Sequence, residues 1–435
     1  MDDIIFFVIN VEINDKFREA IRLVDSGKNI FITGKAGTGK STLLKVIKES
    51  LTQNYVVLAP TGVAAVNIGG QTIHSFFGFR PDITVEKVLK RKYPRNPDVY
   101  ENLEVLIIDE ISMVRADLLD CVNTFLTMHG PEKGRPFGGV QLVFIGDLYQ
   151  LPPIVTYKEK DIFNELYFSP YFFDSKAFSE VEFKIIELTK IYRQTEEEFV
   201  SILNSVRNKT VTDELLDSLN KRVDFTFDPD PKEGYIELVT VNAKADIIND
   251  RRLKTLSGKI YSFEGIISGE FDERSYPAPH ILDLKIGAQV MLTSNDSKGR
   301  WFNGTVGIIE KIDDEVSVRL ENGNLIEVTS NTWEMYKFSF DRLSQKIVSE
   351  VAGAFTQYPL MLSWAVTIHK SQGKTFNKVI VDMGAGAFAH GQTYVALSRC
   401  ATLSGLVLRV PIEKRHILLD NRVVNFFKNY NFGVE

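Results

Sequence analysis

The sequence predicts an α/β protein with two parallel sheets and a small antiparallel insert. Apolar, β-rich segments alternate with helix-like segments in the first and last parts of the chain. This alternation is typical of parallel strands that are covered by helices on both faces. The middle of the chain changes to short alternating strands with Asn-Gly turns, a pattern that favours antiparallel hairpins. At 435 residues the chain is also too long for one hydrophobic core, so several domains are expected.

The first third contains short, apolar segments bounded by turn residues, which predict strands over Asn29–Thr33, Tyr55–Ala59, Val105–Ile108 and Gln141–Ile145. Between them, helical spacing of apolar residues predicts helices over Asn14–Ser26, Lys40–Leu51 and about Ala116–Met128. The apolar run Ile4–Ile9 precedes this series and is predicted as an edge strand or an N-terminal arm. Asp2 and Asp3 stand where a signal peptide would carry positive charge.

A second series of strands is split by the antiparallel segment. Its predicted strands are Lys184–Leu188, Tyr235–Val241, Met361–Val366, Lys378–Met383 and Leu406–Val410. Residues 256–354 lie between the second and third of these. They contain the alternating strands Val316–Leu320 and Leu325–Thr329 and the turns Asn303-Gly304 and Asn322-Gly323. We therefore predict a small antiparallel barrel inserted into the second α/β domain.

Composition and charge exclude several classes of protein. Hydrophobic residues at 44% and charged residues at 25% exclude a largely disordered chain. The net charge of -6 means that any nucleic acid must bind a local basic groove. Two cysteines, Cys121 and Cys400, exclude a disulfide scaffold and a four-cysteine zinc site, and they favour a reducing compartment. No apolar run is long enough to predict a membrane span, so we expect a soluble intracellular protein.

A phosphate-binding loop follows the first predicted strand. Residues 34–41 match G-x-x-x-x-G-K-[ST] at every fixed position, between a strand and a helix as that motif requires. Its glycines let backbone N–H groups converge on phosphate oxygens at a helix N-terminus. We expect Lys40 to reach the β- and γ-phosphates and Ser41 to bind Mg²⁺. The predicted nucleotide-binding residues of the loop are Gly34, Gly37, Thr38, Gly39, Lys40, Ser41 and Thr42.

Two carboxylates end the strand Val105–Ile108. Asp109 is predicted as a second Mg²⁺ ligand, direct or through water, and Glu110 as the base that orients or deprotonates the attacking water. An acidic strand end alone is a weak signal, but it gains weight from the phosphate loop upstream. Together they indicate hydrolysis of a nucleoside triphosphate.

Further segments in a fixed order carry a family resemblance. They are Ala59–Ala65, Thr72–Phe77, Ile108–Met113, Gly146–Pro153, Tyr192–Gln194, Ala365–Gly373 and Tyr394–Arg399. In this order the segments resemble superfamily 1 DNA helicases of the 5′→3′ branch. The resemblance is closest to the Pif-one-type (petite integration frequency) helicases, with RecD-like and Dda-like helicases as relatives. It extends from residue 34 to residue 400.

The resemblance implies two RecA-like domains with ATP between them. Domain 1A would comprise residues 1–181, with a small wedge insertion, 1B, at about 64–80. Domain 2A would comprise residues 182–255 and 355–435, and residues 256–354 would form an SH3-like domain, 2B. It also implies a 5′→3′ helicase in genome maintenance that uses ATP and Mg²⁺ and acts on single-stranded DNA, duplex junctions and G-quadruplexes. Such an enzyme would be a monomer, able to oligomerise on DNA, in the cytoplasm or at a bacterial nucleoid.

The same resemblance assigns roles to residues outside the phosphate loop. Gln150 is similar to the glutamine that senses the γ-phosphate, and Arg193 and Arg399 resemble the arginines that the second domain offers to it. Gly373 would lie in the loop that links nucleotide and DNA. The predicted DNA contacts are Thr61, His74, Phe77 and His369. One departure concerns the base: the helix Asn14–Ser26 carries no glutamine that could read adenine.

Two other functions remain open from the sequence. The first is an ATP-dependent clamp or remodeller that binds DNA without separating its strands. The second is a nucleoside triphosphatase that acts on RNA. The order of the motifs favours the helicase over both.

Overall fold

The computed structural model describes residues 13–90, 93–155, 159–194, 196–230, 233–313, 315–384 and 386–430. The predicted strand or arm Ile4–Ile9 lies outside the described residues. The described chain forms two parallel sheets, of six and four strands, and three antiparallel sheets, of five, three and two strands, in agreement with the α/β class that the sequence predicts.

The first sheet has six parallel strands in the order β3-β2-β4-β5-β1-β6. Its strands are β1 (Ile30–Gly34), β2 (Tyr55–Ala59), β3 (Gln71–Thr72), β4 (Val105–Ile108), β5 (Gln141–Ile145) and β6 (Lys184–Leu188). Successive residues of a strand enter opposite cores: Phe31 and Phe144 enter one, and Ile32 and Val143 the other. Both faces of the sheet are therefore buried, which explains the continuous apolar runs.

Helices and helical turns connect these strands. They are α1 (Asp15–Asp25), α2 (Lys40–Ser50), α3 (Gly62–Ile68), α4 (Ile73–Phe76), α5 (Val85–Leu89), α6 (Pro97–Glu101), α7 (Ala116–His129), α8 (Lys160–Leu166) and α9 (Lys176–Ser179). Asn14 caps α1, because its side chain accepts a hydrogen bond from the backbone N–H of Phe17 at 3.0 Å. None of the helices in the described parts of the chain combines the length and apolar character needed to cross a membrane.

The second parallel sheet is assembled from distant parts of the chain. The part of the chain that leads into it forms the helices α10 (Glu197–Asn208) and α11 (Asp213–Asn220), the strand β7 (Ile236–Val239) and the helix α12 (Asn242–Thr255). The chain then forms antiparallel strands, β8 (Tyr261–Glu264), β9 (Ile266–Gly269), β10 (Ile281–Leu284), β11 (Gln289–Leu292), β12 (Val306–Ile312), β13 (Val316–Leu320), β14 (Leu325–Val328), β15 (Asn331–Asp341), β16 (Lys346–Gln357) and β17 (Leu360–Leu362).

The last part of the chain completes the second sheet, whose strand order is β18-β7-β19-β20. These elements are β18 (Ala365–Thr367), β19 (Val379–Asp382), α13 (Gln392–Leu397), β20 (Leu406–Leu408) and α14 (Asn421–Asn429). The insert forms a five-stranded sheet, β14-β13-β12-β11-β17, together with a three-stranded and a two-stranded sheet. The Asn322-Gly323 turn joins β13 to β14, as its sequence predicts.

Three predicted assignments along the chain are wrong. We predicted Lys184–Leu188 as a strand of the second domain, but β6 pairs in parallel with β1 of the first sheet. We predicted one strand over Met361–Val366, but β17 pairs with β11 in the insert and β18 with β7 in the second sheet. The insert therefore continues beyond residue 354, and the first sheet beyond residue 181.

The third wrong assignment concerns the end of the chain, which we placed in the second domain. Helix α14 buries Val423, Phe426 and Phe427 in the core of the first sheet. The ring of Phe426 lies 4.4 Å from that of Phe173 and 6.3 Å from that of Phe31. Within the predicted wedge insertion at 64–80, β3 pairs with β2, so this part of the segment belongs to the first sheet.

Candidate nucleotide site and nucleic-acid interface

The phosphate loop connects β1 to α2 in the geometry that its sequence predicts. Gly39 adopts a left-handed conformation (φ 86°) at the N-cap of α2, a conformation that glycine adopts without a steric penalty. The Thr38 hydroxyl donates to the carbonyl of Lys35 at 2.9 Å and closes the loop. The N-terminus of an eleven-residue helix, α2, therefore faces the inside of a glycine-rich turn.

Lys40 lies inside this loop. Its Nζ donates to the carbonyl oxygens of Gly34 at 2.8 Å and Lys35 at 3.1 Å. Burial lowers the pKa of Lys40, whereas the nearby carboxylates of Asp147 and Glu110 favour its charged form. The ammonium group is thus held against backbone oxygens by short contacts that a phosphate oxygen can replace.

The two carboxylates lie at the end of β4, as predicted. Glu110 has a left-handed backbone (φ 51°), which is uncommon for a residue with a side chain and is a form of strain found at functional sites. Burial, together with the neighbouring charge of Glu110, raises the pKa of Asp109 to about 7. Burial also raises the pKa of Glu110, and the charge of Lys40 opposes this shift.

A cavity of about 600 Å³ collects most of the predicted nucleotide-binding and catalytic residues. This volume is in the range of small-molecule sites. The predicted residues that line it are Gly37, Thr38, Gly39, Lys40, Ser41, Thr42, Glu110, Gln150, Arg193, Gly373 and Arg399. Gly34 and Asp109 do not line the cavity. Gly34 is the last residue of β1, and its carbonyl accepts a hydrogen bond from Lys40; Asp109 directly precedes Glu110.

Two arginines, Arg193 and Arg399, form another wall of this cavity. Arg399 is 1% exposed and donates to the carbonyl of Val395 at 3.0 Å and the hydroxyl of Ser398 at 2.9 Å. Arg193 donates to the carbonyls of Gly373 at 3.2 Å and Ser398 at 3.4 Å. Burial and the neighbouring charge of Arg193 lower the pKa of Arg399 to about 9. In the described parts of the chain neither guanidinium forms a salt bridge with a carboxylate, so this wall of the cavity is electropositive.

Gln150 lies in the same cavity on a tight turn after β5. Its Nε2 donates to Asp147 Oδ2 at 3.0 Å, and the backbone N–H of Tyr149 donates to Asp147 Oδ1 at 3.1 Å. Asp147 is 1% exposed. The carboxylate of Asp147 therefore fixes the direction of the Gln150 amide.

The predicted DNA contacts are only partly brought together: His74 and Phe77 line one cavity, whereas Thr61 and His369 do not line it. His74 lines a larger cavity, of about 1210 Å³, between the first sheet's helices and the insert, and burial lowers its pKa. Thr61 caps α3, where its hydroxyl accepts from the N–H of Ala64 at 3.3 Å. His369 is half-buried and lines neither of these two cavities.

Phe77, one of the predicted DNA contacts, has a buried ring on which a base cannot stack. The side chain is 2% exposed. Its ring stacks on Phe79 at 5.3 Å and meets the edge of Phe125 at 5.3 Å, both between ring centroids. Phe77 is therefore part of the hydrophobic core that forms one wall of the cavity that His74 also lines.

Several residues of the nucleotide site were not predicted. Phe17, Tyr192 and Thr375 line the cavity. The Tyr394 hydroxyl accepts a hydrogen bond from the N–H of Ala36 at 3.1 Å, which links α13 to the phosphate loop. The resemblance included Tyr192 and Tyr394 in motifs, but nothing in the local pattern indicated that a tyrosine would contact the loop backbone.

Fold and site together define a class, the P-loop nucleoside triphosphatases whose hydrolysis site lies between two parallel α/β units. Comparison with known proteins is more specific. The family model described as PIF1-like helicase matches residues 9–216. The ATP-dependent DNA helicase PIF1 of Homo sapiens is 34% identical over 97% of this chain, and the chain spans 64% of that protein. The ATP-dependent DNA helicase Pif1 of Bdellovibrio bacteriovorus is 32% identical, with 97% of this chain and 93% of the relative covered. The chain belongs to the PIF1-like helicase family.

Solved structures of Pif1 from Bacteroides are similar to this chain to different degrees. The complex with ADP-AlF4 superimposes with a TM-score of 0.90, at 39% identity and 97% coverage of both chains. The complex with single-stranded DNA gives a TM-score of 0.69, at 40% identity and the same coverage. At nearly equal identity and coverage, the overall structure of this chain is thus more similar to the first complex than to the second.

Proposed function

We propose that this protein hydrolyses ATP between its two parallel sheets and uses the energy to move 5′→3′ along single-stranded DNA. As a member of the PIF1-like family it is an ATP-dependent DNA helicase that uses ATP with Mg²⁺. The observation that carries the proposal is the convergence of the phosphate loop, Glu110, Gln150 and two arginines on one cavity. Phosphoryl transfer needs a loop that holds the phosphates, a residue that orients the attacking water, and fixed positive charge near the γ-phosphate.

We assign the roles in hydrolysis as follows. Lys40 would exchange its carbonyl contacts for the phosphates, and Ser41 and Asp109 would hold Mg²⁺, which neutralises phosphate charge when bound. The described residues contain no cluster of three or more His, Cys, Asp or Glu side chains. That composition fits Mg²⁺, which binds one or two protein oxygens together with phosphate and water. The raised pKa of Glu110 brings this base nearer to neutral pH, where general-base catalysis is effective.

The charge of the arginine pair supports a nucleotide-driven closure. Burial lowers the pKa of both Arg193 and Arg399, and the positive charge of Arg193 lowers that of Arg399 further. A γ-phosphate between them would relieve the repulsion between the two charges. Because Arg399 precedes β20 of the second sheet and Lys40 lies on the first, the shared phosphate would draw the two units together. DNA affinity and nucleotide state would then be linked.

We further propose that DNA passes the cavity lined by His74 and that the insert moves to admit it. His74, Arg95 and Arg115 come from the first part of the chain and Arg274 and Lys337 from the insert. Relatives from Bacteroides have been solved with single-stranded and forked DNA, one of them with two coordinating helicases. The lower TM-score of the DNA-bound form supports a rearrangement of domains on DNA binding. Thr61 and His369 remain our proposed additional contacts.

The finer domain description is also a proposal. We propose an SH3-like 2B domain over about residues 256–362, since the antiparallel strands end with β17, and a wedge, 1B, among the short helices that follow β3. Domain 1A would then extend through β6, and 2A would begin near α10. A DNA substrate would place the protein at the nucleoid of a bacterial cell, as a monomer that can pair on forks.

The experiment that tests this function separates helicase, clamp and RNA-directed enzyme. ATP hydrolysis is measured without nucleic acid, with single-stranded DNA and with RNA of the same sequence, beside strand displacement on a tailed duplex. We expect stimulation by DNA and displacement of the strand. Stimulation without displacement would identify a clamp, and stronger stimulation by RNA would identify the RNA-directed enzyme.

A further inference from the structure

Arg207 is a buried cation outside the motifs that define the nucleotide site. It lies near the end of α10 and is 6% exposed. Phe199 and Leu203 of the same helix pack in the core of the second sheet. Residues 199, 203 and 207 are four apart and share one helix face, so the guanidinium stands on the apolar face of α10.

We call each parallel sheet with its helices a unit, so α10 belongs to the second unit. The guanidinium of Arg207 extends from the second unit into the first. Its Cζ lies 3.8 Å from the centroid of the Tyr149 ring, which follows β5. Its Nη2 lies 3.7 Å from Asp147 Oδ1 and 3.6 Å from Glu187 Oε1. Glu187 belongs to β6. All three neighbours are therefore residues of the first sheet or of its loops.

The polar contacts of Arg207 are incomplete. Among the described residues, neither Nε nor Nη2 makes a hydrogen bond, although both are buried. A buried donor without an acceptor is costly. Charge-assisted N–H···O bonds are about 2.7–2.9 Å long. A closing movement of less than about 1 Å would convert both ionic contacts into such bonds, since this is the difference from the present distances.

The carboxylate that Arg207 approaches is the one that holds Gln150. Asp147 Oδ2 accepts from Gln150 Nε2 at 3.0 Å, while Oδ1 faces Arg207. Gly391, which like Arg207 belongs to the second unit, also contacts this turn. A Cβ added to Gly391 would stand 2.6 Å from the Gln150 carbonyl oxygen. The turn from Asp147 to Gln150 is thus packed directly against the second unit.

We propose that Arg207 is a positioning residue for ATP hydrolysis, which completes its bonds to Asp147 and Glu187 on closure and thereby fixes Gln150 at the γ-phosphate. The inference rests on the proposed function and on the role that the family resemblance implies for Gln150, which is to sense the γ-phosphate. Its bonds would be gained mainly in the closed state, so their loss affects kcat more than KM.

The test compares Arg207→Met, Arg207→Lys, Gln150→Ala and the Arg207→Met/Gln150→Ala double variant in the full chain. Arg409→Met is the matched control, because Arg409 pairs with Glu237 at 3.5 Å inside the second unit and is likewise largely buried. Thermal unfolding followed by circular dichroism is used to choose an assay temperature at which every variant is folded. DNA-stimulated kcat and KM for ATP are then measured.

We expect Arg207→Met to lose about 10²-fold in kcat, the size of effect typical of a misplaced catalytic group, with KM for ATP changed less than about threefold. Arg207→Lys keeps the charge and should recover part of kcat, and Gln150→Ala should cost little more in the Arg207→Met background. Arg409→Met should stay within about twofold of the unmodified chain in kcat.

Two outcomes would overturn the inference. In the first, Gln150→Ala is impaired but folded Arg207→Met and Arg207→Lys hydrolyse ATP normally, which leaves the role of Gln150 standing. In the second, the two losses add fully in the double variant, so Arg207 does not act through Gln150. Normal hydrolysis by Gln150→Ala would instead show that Gln150 does not have the role assigned to it. Arg207 could then not act on hydrolysis through Gln150.

Discussion

Arg193 lies directly against Gly37 of the phosphate loop: a Cβ added to Gly37 would stand 2.5 Å from the Cβ of Arg193. The backbone N–H of Tyr192 also donates to the Gly37 carbonyl at 2.9 Å. The guanidinium of Arg193 contacts the Gly373 and Ser398 carbonyls of the second unit. One residue therefore contacts both walls of the nucleotide cavity, which makes it a sensitive test of the site.

Arg193→Lys should lower kcat strongly and KM for ATP weakly. A lysine keeps the charge but loses the planar fork that spans both walls, and arginines in comparable sites contribute about 10³–10⁵ in kcat. Arg222→Lys is the matched control, since Arg222 also donates to backbone carbonyls, those of Leu406 and Ser404, away from the cavity. A defect confined to KM would make Arg193 an ordinary ground-state ligand.

Glu110→Gln should bind ATP and hydrolyse it slowly. The amide keeps the shape of the side chain but cannot accept a proton, and a positioned base contributes about 10²–10⁴-fold. Single-turnover hydrolysis checks the rate, and a fluorescent ATP analogue checks binding. Should the variant turn over normally, the base is another group.

The stability of the protein should fall as pH drops below about 6.5, the ordinary pKa of histidine, partly because of His390. Its Nε2 contacts the Leu148 carbonyl at 2.8 Å, and its Nδ1 accepts from the N–H of Asp420 at 2.9 Å. Burial lowers its pKa, so the folded state favours neutral His390, and the stabilisation present at high pH is lost on acidification. Urea unfolding at several pH values should show a smaller pH dependence for His390→Gln. An unchanged pH dependence would exclude His390 as its source.

His74 and Phe77 should separate DNA binding from folding. His74→Ala should weaken binding of single-stranded DNA and leave the unfolding midpoint nearly unchanged. Phe77→Ala should lower the free energy of unfolding by about 3–5 kcal/mol, because it empties a buried aromatic cluster. Fluorescence anisotropy and denaturant titration measure the two effects. Normal DNA affinity of His74→Ala would remove this residue from the interface.

Local patterns predicted most strands and the phosphate loop, because these depend on residues close in sequence. Tyr55–Ala59, Val105–Ile108 and Gln141–Ile145 have the predicted limits. The pairing of β6 with β1 and the packing of α14 on the first sheet could not be predicted in the same way. Both depend on contacts between distant segments, which strand or helix periodicity does not encode.

The same distinction applies to the site. The phosphate-loop motif indicated Lys40, the acidic end of β4 indicated Glu110, and the family resemblance implied Arg399; all three line the cavity. Arg207 belongs to none of these motifs, and its signal was a charged residue at the spacing of the apolar face of α10. Phe77 was named as a DNA contact from its motif position, but a motif position does not show whether a ring is exposed, and this ring is buried.

The most direct test of the account is strand displacement on two duplexes that differ only in the polarity of their single-stranded tail. With ATP and Mg²⁺, the protein should unwind the duplex with the 5′ tail and leave the 3′-tailed duplex largely intact. Lys40→Ala, which loses the cation of the phosphate loop, should unwind neither. Efficient unwinding from the 3′ tail alone would contradict the proposed 5′→3′ movement, and unwinding by Lys40→Ala would contradict the assignment of the nucleotide site.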